Sequence, residues 1–434
     1  MLLVRERRVQ RQQELLQEFG RPLVCFTMNI PGPVKLSALI CRSFRLGLAQ
    51  LEGALPNILH REVREEVTGC EAFLAVDADA LDIKQICTRI EDETPVGRLF
   101  DMDVLDTDGT KLDRILVKGG DRGCIVCGAP GRGCASRRLH SLEQLHRATR
   151  EIQEGQFREL DSCTIGDLAV ESLLEEVHTT PKPGLVDEAN TGSHGDMDRP
   201  LFEASAKALR PYFRQCVRIG QEGKGHRETF DALRRAGREA EETMFRATGG
   251  INTHKGAIFT LGILCGALGM LWTPEEPIPA LSDLRKTCAD LARFALEQDF
   301  AALSSGTTAG ERLYLERGIT GIRGEAAAGL PSAADIGLPA FREAMNRGLS
   351  PNDAGAVTLL HLIARVEDTN LHHRGGPDGA AWAKEAAAKL LPWPAMVEIS
   401  QLDEDFIQRN LSPGGCADLL AVVYFLYKLE KAAV

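Results

Sequence analysis

The tripeptide Asp-Met-Asp occurs twice, at 101–103 and at 196–198, and paired carboxylates at this spacing can do chemistry. Around the first copy, GRLFDMDVL alternates with period two, placing Phe100, Met102 and Val104 on one face of a strand and Asp101 and Asp103 on the other. Two carboxylates on one strand face can hold one or two Mg²⁺ ions, which bridge phosphate oxygens and neutralise charge on a transferring phosphoryl group. Arg98, three residues earlier, is a candidate phosphate contact. The competing reading is a solvated acidic pair at a strand end. The second copy sits in GSHGDMDRPLF, whose glycines and proline exclude a regular strand and place it on a loop before a helix. Asp196 and Asp198 are candidate Mg²⁺ ligands there, and Asp198 before Arg199-Pro200 suits a helix N-cap equally well.

Cys124, Cys127, Cys134 and His140 follow the spacing C-x2-C-x6-C-x5-H, compatible with a structural Zn²⁺ site of the Cys3His type. The alternative is reduced thiols in a Gly-rich loop. Further along, TPKPGLVDEANTGSHGDMD at 180–198 is a long polar connection of the kind that carries function. In it Lys182 can meet a phosphate, and Asp187, His194, Asp196 and Asp198 can meet Mg²⁺ or a sugar hydroxyl. The preceding helix presents Glu171 and Glu175 on one face. GGINTHKGAIF at 249–259 sets a Gly-rich turn at the start of an apolar helix, an anion site by virtue of free backbone N–H groups, the helix dipole and Lys255. Asn252, Thr253, Lys255 and Gly256 are its substrate-binding candidates; the turn is not a Walker A motif. His254 is a general acid or base or, as lone histidines usually are, a structural donor. Three more blocks place charges beside glycines, consistent with close backbone approach to a ligand: GIRGEAAAG at 321–329 with Arg323 and Glu325, EDTNLHHRGG at 367–376 with Asp368 and Arg374, and LSPGGCADLLA at 411–421.

Positioning these groups takes two domains, because 434 residues exceed one ordinary domain. Residues 1–20 read as a basic amphipathic helix and Leu23 to Met28 as a short strand. The expected architecture is an α+β domain over 1–158 and an all-α domain over 159–434. Between them a polar helix, SLEQLHRATREIQEG, ends at Gly155 and connects the two. From Ile165 onward apolar residues recur at helical spacing, as in Ala169, Val170, Leu173, Leu174 and Val177, and again over 201–221, 227–247, 256–271, 283–304, 353–366 and 416–430. Charge divides unevenly: residues 1–158 are balanced at 23 basic and 23 acidic, and the formal net charge of −11 resides entirely in the rest. Within the first part, Arg114, Lys118, Arg122, Arg132, Arg137, Arg138, Arg147 and Arg150 face only Asp121 and Glu143, a strip suited to a polyphosphate or acidic partner, or else a solvated face. Ala257 to Leu271 is about one turn short of a membrane span, and the N-terminus turns charged too early for a secretory signal, so a cytoplasmic protein whose cysteines are mostly reduced is expected, with no nucleic-acid or membrane partner. The sequence sets no oligomeric state.

RVQRQQELL, PLVCFTMNIPGPVK, TGCEAF, ETPVGRLFDMDVLDTDG and RGCIVCGAPGRGCASRRLH, in that order over about residues 3–155, resemble the apo-citrate lyase phosphoribosyl-dephospho-CoA transferase family. The resemblance implies a nucleotidyltransferase-like domain that transfers a prosthetic group to a serine of the acyl carrier (gamma) subunit of citrate lyase, releasing pyrophosphate, with Asp101 and Asp103 on the metal. CASRR at 134–138 departs from the family's order of Arg and Ser, so no role carries over to Arg137. The downstream blocks, over about 163–434, resemble the triphosphoribosyl-dephospho-CoA synthase family. That implies ATP and dephospho-CoA as substrates, a new glycosidic bond between them, loss of adenine and retention of the triphosphate. Such a reaction needs cations for the triphosphate, for which Lys182, Lys255 and Arg323 are available, a base for the attacking hydroxyl and an acid for adenine. The base candidates are Glu171, Asp187 and Asp196, with Asp368 and Arg374 as a second pair, while Glu325 suits the ribose. Rival readings are the equivalent pathway for malonate decarboxylase, a hydrolase of nucleotide glycosidic bonds, and an N-terminal module that only docks a carrier.

Overall fold

The computed structural model describes residues 2–120, 122–129, 133–134, 137–299, 314–315 and 318–432. Asp121 and Arg132 of the basic strip, Ser136 of CASRR and the end of the 283–304 stretch lie outside the described residues. The chain forms two compact units, Met1–Glu159 and Leu160–Val434.

The first unit runs α1 (Leu2–Phe19), β1 (Leu23–Met28), α2 (Ala38–Ala54), β2 (Ile58–Glu66), β3 (Gly69–Val76), α3 (Ala80–Glu93) and β4 (Phe100–Leu105). Its four strands pair antiparallel in the order β2-β3-β1-β4. Alternation along the central strand decides the layers. Val24 and Phe26 enter a core with Phe44 of α2, Ile83 and Cys87 of α3, and Phe100, Met102 and Val104 of β4. Leu23 and Cys25 point the other way, to a smaller cluster with Leu15 of α1. Ser37 and Asp79 cap α2 and α3 by accepting backbone N–H bonds, which starts each helix where its apolar stripe begins.

β4 is an edge strand, and its open side is closed by α3. The Met102 N–H donates to Glu91 Oε1 at 2.8 Å and the Met102 carbonyl accepts from Lys84 Nζ at 3.0 Å, both side chains being buried. Arg122 reaches the same strand, donating to the carbonyls of Phe100 at 2.7 Å and Gly97 at 2.6 Å. Edge groups satisfied in this way cannot pair with another chain, and the strand is held so that Asp101 and Asp103 project from the face opposite the core.

The expected helix end at Gly155 is absent. α4 runs unbroken from Leu142 to His178, and the boundary between units falls within it. Gly155 faces open space, so it costs only its weak helix propensity, and the apolar stripe resuming at Ile165 propagates the helix.

The second unit continues with α5 (Arg199–Ala208), α6 (Arg210–Gly220), α7 (His226–Ala247), α8 (Lys255–Leu271), α9 (Leu281–Asp299), α10 (Gly321–Ala327), a π turn at Ser332–Gly337, α11 (Leu338–Asn346), α12 (Pro351–Ile363), α13 (Thr369–Leu390), α14 (Met396–Gln408) and α15 (Gly414–Ala432). Among the described residues no strand follows Leu105, in accord with the helical periodicity. The stretch expected as one helix over 201–221 is two, parted at Leu209 before Arg210-Pro211, because a proline suits a first turn and not an interior. α13 is likewise interrupted at Gly376, whose φ of 63° precedes Pro377. Ala169, Val170, Leu173 and Val177 of α4 are buried, and most of α8 is buried all round. No helix among the described residues is long and apolar enough to cross a membrane.

Candidate active sites

On the outer face of the first unit's sheet, Glu71, Thr27 and Asp101 form one cross-strand row, and Cys25 pairs with Asp103 in the next. The Thr27 hydroxyl approaches Asp101 at 3.5 Å and Lys111 pairs with Asp103 at 2.6 Å. Partial desolvation of its carboxyl against the sheet, and then the charge of Asp103, raise Asp101 above the ordinary aspartate value. Two like charges on one face, with Lys111 paired to Asp103, suit an added cation. Arg98, expected as a phosphate contact, instead donates to the Gly123 carbonyl.

That bond leads to the cysteine loop. The ligand atoms of Cys124, Cys127, Cys134 and His140 all lie within 4.8 Å of one another. Cys127 and Cys134 sulfurs are 3.5 Å apart, and His140 Nε2 is 3.3 Å from Cys127 Sγ. Burial acts to raise the Cys124 thiol, but the backbone N–H groups of Cys127 and Val126 and the neighbouring thiols outweigh it and hold the thiol below its usual value. Four soft donors converging on one point, with N–H groups already aimed at a sulfur, fit Zn²⁺. Part of the basic strip turns inward, where Arg114 pairs with Asp92 at 2.5 Å and Arg122 holds β4, while Arg147 stays on the surface and pairs with Glu143 at 3.2 Å.

In the second unit a cavity of about 890 Å³ gathers side chains from nearly the whole length of the fold. Lys182, His194, Asn252, Thr253, His254, Lys255, Gly256, Arg323, Glu325, Asp368 and Arg374, all singled out in the sequence, line it. The loop after α4 supplies Lys182 and His194, the turn before α8 supplies Asn252 to Gly256, α10 supplies Arg323 and Glu325, and the start of α13 supplies Asp368 and Arg374. Glu171, Asp187, Asp196 and Asp198 are not in its walls. Glu171 is exposed and, with Glu175, pairs with Lys428. Asp187 is buried and organises its own loop, accepting from the Thr180 hydroxyl at 2.8 Å and the backbone N–H groups of Lys182, Ala189 and Asn190 at 2.7–3.0 Å. Asp198 caps α5 by accepting from the Leu201 N–H at 2.9 Å. Asp196 is exposed and, among the described residues, acts on Arg374 and His194 through its charge.

Several lining groups have partners that refine their roles. Lys182 is fully buried and paired with Glu176 at 2.5 Å, so its ammonium is already committed, contrary to the expected phosphate contact. His194 accepts at Nδ1 from Arg374 at 3.1 Å and stands 2.9 Å from the Ser412 hydroxyl, which leaves its N–H on Nε2. Glu325 accepts from Ser332 N–H at 2.6 Å. The start of α8 is not an empty anion site. Asn252 takes the Lys255 N–H at 3.2 Å, and the Asp418 carboxylate takes that of Ala257. Asp368 accepts from Asn370, Leu371 and Cys416 N–H groups at 2.7, 3.2 and 2.8 Å, clamping the starts of α13 and α15. Buried Glu176 and half-buried Asp418, not singled out as site residues, complete the acidic wall. The signal for Asp418 was an aspartate three residues after Gly-Gly, just before the apolar run Leu419 to Leu426.

The family described as apo-citrate lyase phosphoribosyl-dephospho-CoA transferase matches residues 1–155, and the family described as ATP:dephospho-CoA triphosphoribosyl transferase matches residues 162–434. The chain is similar to the protein CitXG of Haemophilus influenzae, 34% identical over 98% of this chain and 94% of the relative. It is similar also to the protein CitXG of Leuconostoc mesenteroides, 31% identical over 98% of this chain and 95% of the relative. A probable 2-(5''-triphosphoribosyl)-3'-dephosphocoenzyme-A synthase of Vibrio cholerae is 43% identical over 62% of this chain and 88% of its own length.

His254 provides a test of the pocket's interior. Its Nδ1 lies 2.9 Å from the Ser205 hydroxyl, whose oxygen accepts from Thr253 at 2.7 Å; this leaves the Ser205 proton able to donate to Nδ1 with the N–H on Nε2, and Nε2 has no partner among the described residues. Burial, and then the Lys182 charge, lower its pKa to about 3. Since the unfolded histidine titrates near 6.5, the unfolded state binds more protons between these values, and stability falls as pH drops below about 6.5. Between pH 7.5 and 5.0 the wild type should lose about 2 kcal/mol more than a His254→Gln variant. Thermal melts across that range check this, and parallel profiles for the two proteins would refute it.

Proposed function

Because the chain belongs to the apo-citrate lyase phosphoribosyl-dephospho-CoA transferases through residues 1–155 and to the ATP:dephospho-CoA triphosphoribosyl transferases through residues 162–434, we propose that its two reactions occupy two separate sites, the aspartate face of the first unit and the deep cavity of the second. The protein is a bifunctional transferase. The observation that carries the division is that the cavity is built wholly from residues of the second unit, while Asp101 and Asp103 lie on the sheet of the first.

In the cavity, Lys255, Arg323 and Arg374 receive the triphosphate of ATP. Lys255 is the most open of the three and pairs with Glu241 at 3.0 Å, a partly exposed pair that a phosphate can replace. Of the four aspartate and glutamate candidates for the base, Asp368 alone is in the cavity wall. Its carboxylate is oriented by three backbone N–H groups, and burial raises its affinity for a proton, as a general base requires. It takes the proton of the attacking ribose hydroxyl of dephospho-CoA. Nε2–H of His254, buried and unpartnered, is a preorganised donor to a substrate oxygen.

On the first unit, Asp101 and Asp103 would hold Mg²⁺, which when bound neutralises charge on the pyrophosphate leaving group. Thr27 orients Asp101, and Lys111 orients Asp103. The acceptor is a serine of the citrate lyase acyl carrier subunit. The antiparallel sheet with paired aspartates at its edge supports a nucleotidyltransferase-like arrangement. The cysteine loop would hold Zn²⁺ as a structural ion, tied to β4 through Arg98 and Arg122. The order of reaction follows from the chemistry, since the second unit's product is the first unit's substrate.

Asp101→Asn should lower carrier modification by roughly 10²-fold or more while adenine release from ATP continues unchanged, and Lys255→Ala should raise KM for ATP about tenfold without slowing transfer of supplied triphosphoribosyl-dephospho-CoA. Loss of both activities in either variant would reject separate sites. Elemental analysis of the purified full-length protein should find about one zinc per chain, and Cys127→Ser should remove most of it. A protein with no zinc after growth in zinc-replete medium would refute the metal assignment.

A further inference from the structure

We propose that Asp418 is the acid that protonates departing adenine, an assignment that rests on the reading of the second unit's cavity given above. Asp418 sits in the first turns of α15, lines the cavity, and aims its carboxyl at the start of α8. The approach is close enough to require a glycine there: a Cβ on Gly256 would lie 1.9 Å from Asp418 Oδ2.

Three carboxyls, Glu176, Asp368 and Asp418, meet in this wall, and their compensation is unequal. Glu176 has the buried Lys182 ammonium at 2.5 Å. Asp368 has three backbone N–H groups. Asp418 has the Ala257 N–H, and among the described residues no ion pair reaches it. A half-buried carboxyl set beside two other carboxyls in a cavity wall, with so little compensation, favours the neutral acid. In keeping with this, burial, followed by the charges of Glu176 and Asp368, push Asp418 well above the ordinary aspartate value. One cavity thus holds a carboxylate fixed for accepting a proton and a carboxylic acid with one to give, the division of labour that environment creates between paired carboxyls. His254 does not fill the second role, because a neutral imidazole N–H is too weak an acid.

The step balances without another reactant. The ribose hydroxyl oxygen of dephospho-CoA forms a bond to C1′ of ATP as the C1′–N9 bond breaks, and the electron pair of that bond goes to adenine. Asp418 gives its proton to an adenine ring nitrogen, and Asp368 takes the proton of the hydroxyl. Return of that proton from Asp368 to Asp418 resets the site, so the net result is transfer of the hydroxyl proton to adenine.

Asp418→Asn retains the shape and the acceptor oxygen for Ala257 but has no acidic proton. With ATP and dephospho-CoA, its kcat for adenine release in the full-length protein should fall roughly 10²- to 10⁴-fold. N7-methyl-ATP carries a cationic base that leaves as a neutral molecule without protonation, and with it the variant should stay within about threefold of the wild type. Asp418→Glu, which keeps a proton donor, should be more active with ATP than Asp418→Asn. Undiminished use of ATP by Asp418→Asn, equal loss with both nucleotides, or equal ATP activity of the Asn and Glu variants overturns the assignment. A wild type that releases no adenine from ATP contradicts the reading of the cavity itself.

Discussion

Carboxyls taken out of water dominate the helical unit. A buried carboxylate is tolerable only when paired, hydrogen-bonded or protonated, and the wall of the cavity uses all three solutions. Lys182 pairs with Glu176, helix-start N–H groups hold Asp368, and Asp418 keeps its proton. The surrounding folding choices serve this arrangement. Gly256 and Gly415 omit side chains where Asp418 and Asp368 approach, since a Cβ on Gly415 would lie 3.0 Å from Asp368. The loop after α4 is tied by Asp187 and by Asp403, which accepts from the Gly184 N–H at 2.8 Å, so that Lys182 is delivered to the interior. Helices from distant parts of the chain are locked together where their polar ends meet.

The first unit obeys the same rule at a sheet edge. Glu91 and Lys84 satisfy Met102, burying their own charges against backbone dipoles, and Arg122 and Arg98 join the cysteine loop to the strand bearing Asp101. Asp101 and Asp103 of this unit are exposed and half-exposed on a sheet face, whereas Glu176, Asp368 and Asp418 of the second unit line a cavity. A carrier serine needs an open face; a small nucleotide that must lose its base without water benefits from enclosure.

How much could be read from the residues depended on local periodicity. The period-two pattern of FDMDVL identified both the strand and the face of Asp101 and Asp103, because alternation leaves a side chain no third direction. The stripe from Ala169 to Val177 and the apolar run of α8 were legible for a similar reason, and all the Gly-rich blocks marked in the second half reach one cavity. Roles that depend on three-dimensional partners were not legible. Asp187 has the composition of a ligand and the position of a loop staple. Lys182 lies in a polar loop yet is buried, since its partner is on the preceding helix. Asp418 was hidden inside an apolar helix, and α4 continued past Gly155 because tertiary packing downstream outweighs one weak helix former.

The central claim is that two sites in one chain act in succession, the product of the second unit's cavity feeding the aspartate face of the first. Intact-mass measurement of apo acyl carrier subunit incubated with the full-length protein, ATP, dephospho-CoA and Mg²⁺ tests it most directly. The account predicts a gain of one phosphoribosyl-dephospho-CoA group, with adenine and pyrophosphate released. An unmodified carrier in a mixture that has released adenine, or a carrier that retains the full triphosphate, would contradict it.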